Sequence, residues 1–208
     1  MKITAIKKDK SHTVRFEFDD GSFVKLDADY ANEICLHVGN NVEKEKLTEL
    51  VKESEYIRAK SRGIWFLDRA DHSEKSLYEK IVKGGISGSA AAQAVSRLKE
   101  LGMLDDHRYA ANLAERMSEN NISQREAYAK LLQKGIPKDI IKQVLTDTYF
   151  DEAAQVAALI DKKYRLKLQS DGGCEKVYAA LIRKGFSYDV VREQMKKHTQ
   201  EIENYEDY

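Results

Sequence analysis

Apolar residues recur three times along this chain in the same arrangement, at intervals of fifty residues. The segments 77–86, 127–136 and 177–186 align without a gap. In the first copy, Leu77, Tyr78, Ile81 and Val82 follow the i, i+4 spacing of one buried helix face, and the other copies keep that spacing. A repeat of fixed period is typical of stacked modular proteins, in which an extended surface usually carries the function.

The signals that stop helices recur with the same period. Each copy ends at a glycine, the residue that most readily adopts the left-handed conformation found after many helices. These structural repeat positions are Gly85, Gly135 and Gly185. A column of tyrosines is interpreted as lying at the rim of the core, with hydroxyls that reach water: Tyr78, Tyr128 and Tyr178.

Each period has room for three helices. Ser73 and the capping box that starts at Ser123 mark the beginning of the central helix in two copies, whereas Gly173 is a weaker cap in the third. A following helix is predicted to begin at the column Ser87, Pro137 and Ser187. A preceding helix is predicted roughly over 54–70, 106–120 and 152–166.

The first forty residues follow a different pattern. Val14, Phe16 and Phe18 alternate with polar residues, and the turn sequence 19–22 leads into a second apolar run. Alternation on both sides of Asp-Gly predicts a β-hairpin, because glycine accepts the positive φ of a tight turn. Residues 3–6 are a candidate third strand, and residues 30–38 a short helix. An isolated hairpin is only marginally stable in water, so we expect it to pack on the helices that follow.

The predicted fold class is therefore mainly all-α, with three tandem three-helix repeats in an elongated stack and a small N-terminal extension that contains a β-hairpin. The predicted segments are 1–41 for the extension with its short helix, 42–102, 103–149 and 150–200 for the repeats, and 201–208 for a flexible acidic tail.

Charge is balanced overall but unevenly distributed. The chain carries 35 Lys and Arg against 35 Asp and Glu, and 34% of its residues are charged. The acidic residues are enriched in the first fifty residues and in the tail, so the helical body is mildly basic. This distribution permits a polyanionic partner without requiring one.

Several classes of protein are not indicated. No apolar run approaches the roughly 20 residues that span a bilayer, and the first residues lack the apolar stretch of a signal peptide. The two cysteines, Cys35 and Cys174, lie far apart and suggest no disulfide framework, so we expect a cytoplasmic protein. Neither a phosphate-binding Gly-rich loop with its lysine nor a metal-ligand spacing of histidines is present, so the sequence predicts no enzyme, no cofactor and no metal.

Two basic segments are candidates for partner or nucleic-acid binding. The first holds four cations around an aromatic residue: Lys162, Lys163, Tyr164, Arg165 and Lys167. Cations attract phosphates by counterion release, and an aromatic ring can stack a base. The alternative is a helix C-terminus enriched in cations that interact with the helix dipole. The second segment lacks a central aromatic residue and comprises Arg58, Lys60 and Arg62.

The junction between the first two repeats is distinctive. It reads Leu104-Asp105-Asp106-His107-Arg108-Tyr109-Ala110. Gly102 is predicted to stop one helix, and Asp105 with Asp106 to cap the next. Adjacent carboxylates also suggest a metal or acid–base site, but aspartate is ordinary at helix starts. Arg108 either pairs with a local Glu or Asp or faces a partner, and Tyr109 is a further candidate for partner binding.

This junction and the Lys-Gly helix ends of the repeats make the chain resemble the RecX family of bacterial regulators of the RecA recombinase. The similarity covers about residues 55–198 and includes the segments 72–77 and 162–164. It implies an elongated monomer without enzymatic activity, which lies in the groove of the RecA filament on single-stranded DNA. Such a protein restrains RecA ATPase and strand exchange in recombination, DNA repair and the SOS response, and contacts DNA. The alternatives are an autonomous DNA-binding module of the helix-turn-helix type and a pure protein scaffold.

Overall fold

The computed structural model describes residues 1–9 and 12–206, with side chains as far as His198. The chain forms two compact units, of which the first comprises Met1–Asp105 and the second begins at Asp106. The described residues are mostly helical and carry a small N-terminal sheet, so the prediction of a mainly all-α fold with a small β-containing N-terminal extension is confirmed. The boundaries predicted for the five segments stay predictions.

The N-terminal sheet has three antiparallel strands in the order β1 (Ile3–Lys8), β2 (Thr13–Phe18) and β3 (Phe23–Asp27). Gly21, in the turn between β2 and β3, has a φ of 81°. Both the predicted hairpin and the additional strand are therefore present. The sheet buries Phe16, Phe18 and Leu26 against the helices that follow, which explains why so short a sheet is stable.

The two helices after the sheet differ from their predicted bounds. Helix α1 spans Ala28–Glu33 rather than 30–38, because it starts at the cap Asp27 and the chain turns at Cys35, whose φ is 48°. Helix α2 spans Lys44–Leu67 and so begins ten residues before the predicted start at 54. Leu47 and Leu50 are buried in the core below the sheet, which accounts for the additional turns.

Three helical triads share this architecture. The first contains α2, α3 (Glu74–Lys83) and α4 (Gly88–Glu100), and the second α5 (Asp106–Glu119), α6 (Gln124–Gln133) and α7 (Lys138–Asp147). The third contains α8 (Glu152–Leu159), a π-helical turn (Ile160–Tyr164), α9 (Arg165–Leu168), α10 (Gly173–Arg183) and α11 (Tyr188–Glu206). A separate cluster of buried apolar residues lies within each triad.

The central helix of each triad presents a narrower buried face than the sequence suggested. Its fully buried residues are Leu77 and Ile81 in α3, Ala127 and Leu131 in α6, and Val177 and Leu181 in α10. The prediction that the next position shares this face is wrong for Val82 and Leu132, which are 36% and 42% exposed. One step along a helix turns the side chain by about 100°, which carries these residues out of the core.

The polar residues that organise helix ends are found where the periodicity placed them. Ser73 and Ser123 accept hydrogen bonds from the backbone of Ser76 and Glu126. The buried Ser123 hydroxyl also donates to the carbonyl of Lys184 at 2.5 Å, which connects α6 to the end of α10. Gly85, Gly135 and Gly185 have φ values of 84°, 81° and 90° after the central helices, and Tyr78, Tyr128 and Tyr178 lie partly buried against the three cores.

None of the helices that the structure describes is both long and apolar enough to cross a membrane. The predicted acidic tail, 201–208, lies outside the residues whose side chains are described.

Candidate nucleic-acid interface

The second half of α2 and the turn after it present arginines and a tryptophan on one face. Arg58, Arg62, Trp65 and Arg69 follow one another at intervals of four, three and four residues, which is the spacing of one helix face. We call these four residues the arginine–tryptophan stripe. The chain has a single tryptophan, and this residue is 44% exposed.

Arginines hold the indole of Trp65 in place. The guanidinium carbon of Arg69 lies 3.7 Å from the ring centroid, and its Nη1 donates to the carbonyl of Trp65 at 2.9 Å. The guanidinium carbon of Arg62 lies 5.2 Å from the same centroid. Cations at these distances attract the ring face electrostatically, so the aromatic residue and both cations form one preorganised surface.

A second aromatic ring anchors this surface to the first triad. Phe66 meets Trp65 edge-to-face with centroids 5.1 Å apart, and it packs partly buried against the first core. Lys80 from α3 places its Nζ 5.1 Å from the Phe66 centroid. On the inward side of α2, Ala59 and Gly63 are buried, so the stripe lies on a helix fixed by close packing.

The stripe borders a cleft of about 500 Å³ within the first unit. One wall is formed by Arg58, Arg62 and Trp65. The other wall comes from the region where β3 meets α1 and carries His12, Asp27, Asp29, Tyr30 and Glu33. Neither Arg58 nor Arg62 forms an ion pair with any residue that the structure describes. The cleft therefore has a cationic wall and an acidic wall.

Part of the acidic wall already has structural roles. The Asp27 carboxylate caps α1 by accepting from the backbone of Asp29 and Tyr30, and Asp29 contacts the ring of His12 at 3.1 Å. The possible ligand atoms of His12, Asp27 and Asp29 lie within 4.8 Å of one another. Capping and ion pairing explain this cluster, and no metal is needed to account for it.

The pKa of His12 is expected to lie above 6.5, mainly because its ring hydrogen-bonds to the Asp29 carboxylate. A raised pKa in the folded state stabilises the fold at pH values below 6.5, and this contribution disappears as the pH rises through the folded-state pKa. Replacing Asp29 with asparagine should return the pKa toward 6.5, as followed by an NMR titration of the ring protons. An unchanged pKa in the variant would show that the pair does not form.

The second basic segment, 162–167, lies in the π-helical turn and α9 of the third triad. Lys162, Lys163, Arg165 and Lys167 are all exposed and surround Leu166, which is 84% exposed. The role proposed for Tyr164 requires correction: this residue is 7% exposed and belongs to the core with Ile160 and Leu168. Its ring is therefore not available to stack a base, although the cations around it are available to a partner.

The junction residues lie where the first unit ends and the second begins. Gly102 has a φ of 71° after α4, and Leu104 is buried in the first core. Asp106 is the first residue of α5 and is buried, Arg108 is exposed, and Tyr109 packs partly buried against the second core. Asp105 and Arg108 each take part in a polar or electrostatic interaction. The junction thus contributes to folding, whatever partner it contacts.

Sequence reasoning identified Arg58, Lys60 and Arg62 but missed Trp65 and Arg69. Lys60 is only half-exposed and is not part of the stripe. The contiguous basic segment has no aromatic residue at its centre. On the same helix face, however, Trp65 follows Arg62 by about one turn. The spacing 58, 62, 65 and 69 was the signal that could have found it.

The chain is similar to several curated bacterial proteins named "Regulatory protein RecX". It is 31% identical to the one from Streptococcus pneumoniae over 193 residues, which cover 90% of this chain and 73% of the relative. Identity is 28% to the relative from Streptococcus mutans and 27% to one from Clostridium perfringens, of which the alignment covers 73% and 92%. No protein-family model matches the chain.

Two solved structures share the fold. One, titled "Crystal structure of regulatory protein RecX", superposes with a TM-score of 0.65 at 21% identity and covers 92% of this chain and 98% of its own. The other, RecX from Lactobacillus salivarius, gives a TM-score of 0.62 at 18% identity and covers 71% of this chain and 99% of its own.

Proposed function

Because this chain belongs to the RecX family of regulatory proteins, we propose that it binds RecA filaments on single-stranded DNA and lowers their ATPase and strand-exchange activities. The observation that carries the proposal is the family membership. In this proposal the protein acts without catalysis, as a monomer in the cytoplasm, during recombination, DNA repair and the SOS response.

The surface of the chain supports a binding role. Two groups of exposed or half-exposed cations, the arginine–tryptophan stripe in the first unit and the segment 162–167 in the second, suit contact with phosphates or with acidic protein surfaces. A protein that contacts neighbouring RecA subunits through such groups would hinder the movements linked to ATP turnover or block filament growth. Its effect would then depend on binding alone.

The direct test measures RecA ATPase in the presence of single-stranded DNA, and strand exchange, with and without this protein. We expect inhibition at about one molecule per several RecA subunits. No effect on either activity would contradict the proposal. Sequence-specific binding to naked duplex DNA, with no effect on RecA, would favour the helix-turn-helix alternative.

Charge reversal in the second basic segment should weaken the inhibition. Replacing Lys162, Lys163 and Arg165 with glutamate removes three exposed cations and adds three repelling charges. With each exposed charge contributing roughly 0.2–1 kcal/mol, we expect the half-inhibitory concentration to rise about tenfold or more. The RecA ATPase assay measures this change directly.

The control reverses two other exposed cations of the same unit, Lys138 and Lys142, in the first half of α7. The control should inhibit RecA nearly as well as the unaltered protein. Helical circular dichroism should be the same for both variants. Equal losses of inhibition for each reversed charge would mean that total charge, rather than the segment 162–167, determines the effect.

A further inference from the structure

We propose that the arginine–tryptophan stripe is a stacking site for an unpaired base of single-stranded DNA, with the base on Trp65 and the neighbouring phosphates on the arginines. The inference rests on the proposed function only for the choice of single-stranded DNA as the ligand, since the RecA filaments of that proposal are assembled on single-stranded DNA. It assigns individual roles to Trp65 and Arg69 as well as to Arg58 and Arg62, which the sequence already indicates.

The stripe combines an exposed aromatic ring with cations. Proteins that bind single strands combine aromatic side chains that stack successive bases with cations that follow the backbone. Trp65 is 44% exposed, lines the cleft, and has the guanidinium groups of Arg62 and Arg69 within 5.2 Å and 3.7 Å of its centroid. An exposed indole held by cations loses little conformational freedom on binding, which favours a defined stacking geometry.

No described carboxylate neutralises the arginines of the stripe. Arg58 and Arg62 lie on the cleft wall without an ion pair to any described residue, and the side chain of Arg69 lies over the Trp65 ring and donates to the Trp65 carbonyl. A planar guanidinium binds phosphate through paired N–H donors. Three such groups on one face, spaced along a helix, provide contacts for the phosphates on both sides of a stacked base.

The acidic wall of the cleft favours a nucleotide over an acidic peptide as the ligand. The opposite wall of the cleft carries Asp27, Asp29 and Glu33, which would repel the carboxylates of an acidic partner. Glu33 is exposed and has no side-chain hydrogen bond or ion pair to a described residue. The exocyclic amino groups of bases donate hydrogen bonds to carboxylates. A nucleotide can therefore place its phosphates at the arginines and its base amino groups at the acidic wall. Bases in duplex DNA are already stacked on their neighbours, which favours single strands.

The test uses the full-length chain without RecA. Because Trp65 is the only tryptophan, its fluorescence reports on this site alone. We expect a single-stranded oligonucleotide of mixed, non-self-complementary sequence to quench this fluorescence, and an equal concentration of the matching duplex to quench it much less. Replacing Trp65 with alanine should weaken binding of a labelled oligonucleotide, measured by anisotropy, by about five- to hundredfold, whereas Trp65→Phe should retain part of the affinity.

The chain offers a closely matched control in Phe23. This ring is 48% exposed and has the guanidinium carbon of Arg15 at 3.8 Å from its centroid, but that arginine is paired with Glu17. Phe23→Ala should therefore leave affinity unchanged. The double variant Arg58→Ala and Arg62→Ala should weaken binding. It should also make the slope of log binding constant against log salt concentration less steep, by about 0.7 for each lost phosphate contact.

Two outcomes would overturn the inference. In one, Trp65→Ala and Phe23→Ala have the same affinity as the unaltered protein. In the other, naked oligonucleotide leaves the fluorescence unchanged while Trp65→Ala weakens inhibition of RecA, which would assign the stripe to a protein contact. Because the binding assay contains no RecA, it can succeed where the ATPase assay fails, and the two proposals are tested separately.

Discussion

Replacing Gly173 with alanine is expected to destabilise the third helical triad by about 3 kcal/mol, the upper end of the usual cost of inserting an atom into packed structure. Gly173 is the first residue of α10 and is buried. A Cβ atom at this position would lie 1.8 Å from the carbonyl oxygen of Lys167 and 2.9 Å from its carbonyl carbon. Both are backbone atoms at the end of α9, so the clash cannot be relieved by rotating a side chain. Urea denaturation followed by helical circular dichroism measures the loss.

The adjacent glycine provides the control for this prediction. Gly172 has a φ of 63°, but the nearest atom to an added Cβ is the Nζ of Lys176, at 3.8 Å. Gly172→Ala should therefore cost only the strain of a left-handed residue, about 1–2 kcal/mol. Equal effects of the two substitutions would show that α9 and α10 do not approach each other this closely. Comparing the two variants separates the backbone strain expected at Gly172 from the steric clash expected at Gly173.

The same contact explains why a glycine stands at this position. The sequence pattern predicts only a weak helix cap at Gly173, where the second repeat has Ser123. In the structure, glycine allows the start of α10 to approach the last turn of the basic segment at Lys167. The helix propensity of a residue indicates how it affects its own helix, but not which backbone atoms from other segments lie beside it. The close approach of Gly173 to Lys167 therefore could not be predicted from the repeat pattern.

The π-helical turn was missed for a related reason. Ile160, Tyr164 and Leu168 are spaced by four and buried together, which is also the spacing of an ordinary α-helix face. One additional residue in a turn changes the direction of the following side chains without altering the apolar pattern. The burial of Tyr164 could nevertheless have been predicted from its two apolar partners. Its position between the cations Lys163 and Arg165 favours the interpretation of an exposed ring.

The repeats were predictable because their core positions, caps and terminating glycines all occur within one helix-turn-helix segment. Such local features need only the spacing of residues along the chain. The arginine–tryptophan stripe was missed although the helix predicted over 54–70 contains all four of its residues. Attention to contiguous cations selects Arg58, Lys60 and Arg62, whereas one helix face selects residues three or four apart. The stripe could therefore have been predicted from the helical spacing, but its contacts with Trp65 depend on the folded structure.

Truncation of Leu131 should destabilise the second unit by about 2–5 kcal/mol, whereas the same change at Leu132 should cost less than about 1 kcal/mol. Leu131 is fully buried in the core of the second triad, and Leu132, the next residue in α6, is 42% exposed. Leu131→Ala removes apolar atoms from a packed core and leaves a cavity. Leu132→Ala removes atoms that are already largely in contact with water. Urea denaturation of both variants, followed by helical circular dichroism, gives the two free energies.

The pair is informative because the two leucines have the same intrinsic helix propensity and lie in the same turn. A difference in stability between the variants must therefore come from their surroundings in the folded protein. Equivalent positions in α3 are Ile81, fully buried, and Val82, 36% exposed, so the first unit should show the same order. Similar losses at Leu131 and Leu132 would mean that the exposed column is covered by a partner or by another copy of the chain. A large difference would show that Leu131 supports the core of the second triad and that Leu132 does not.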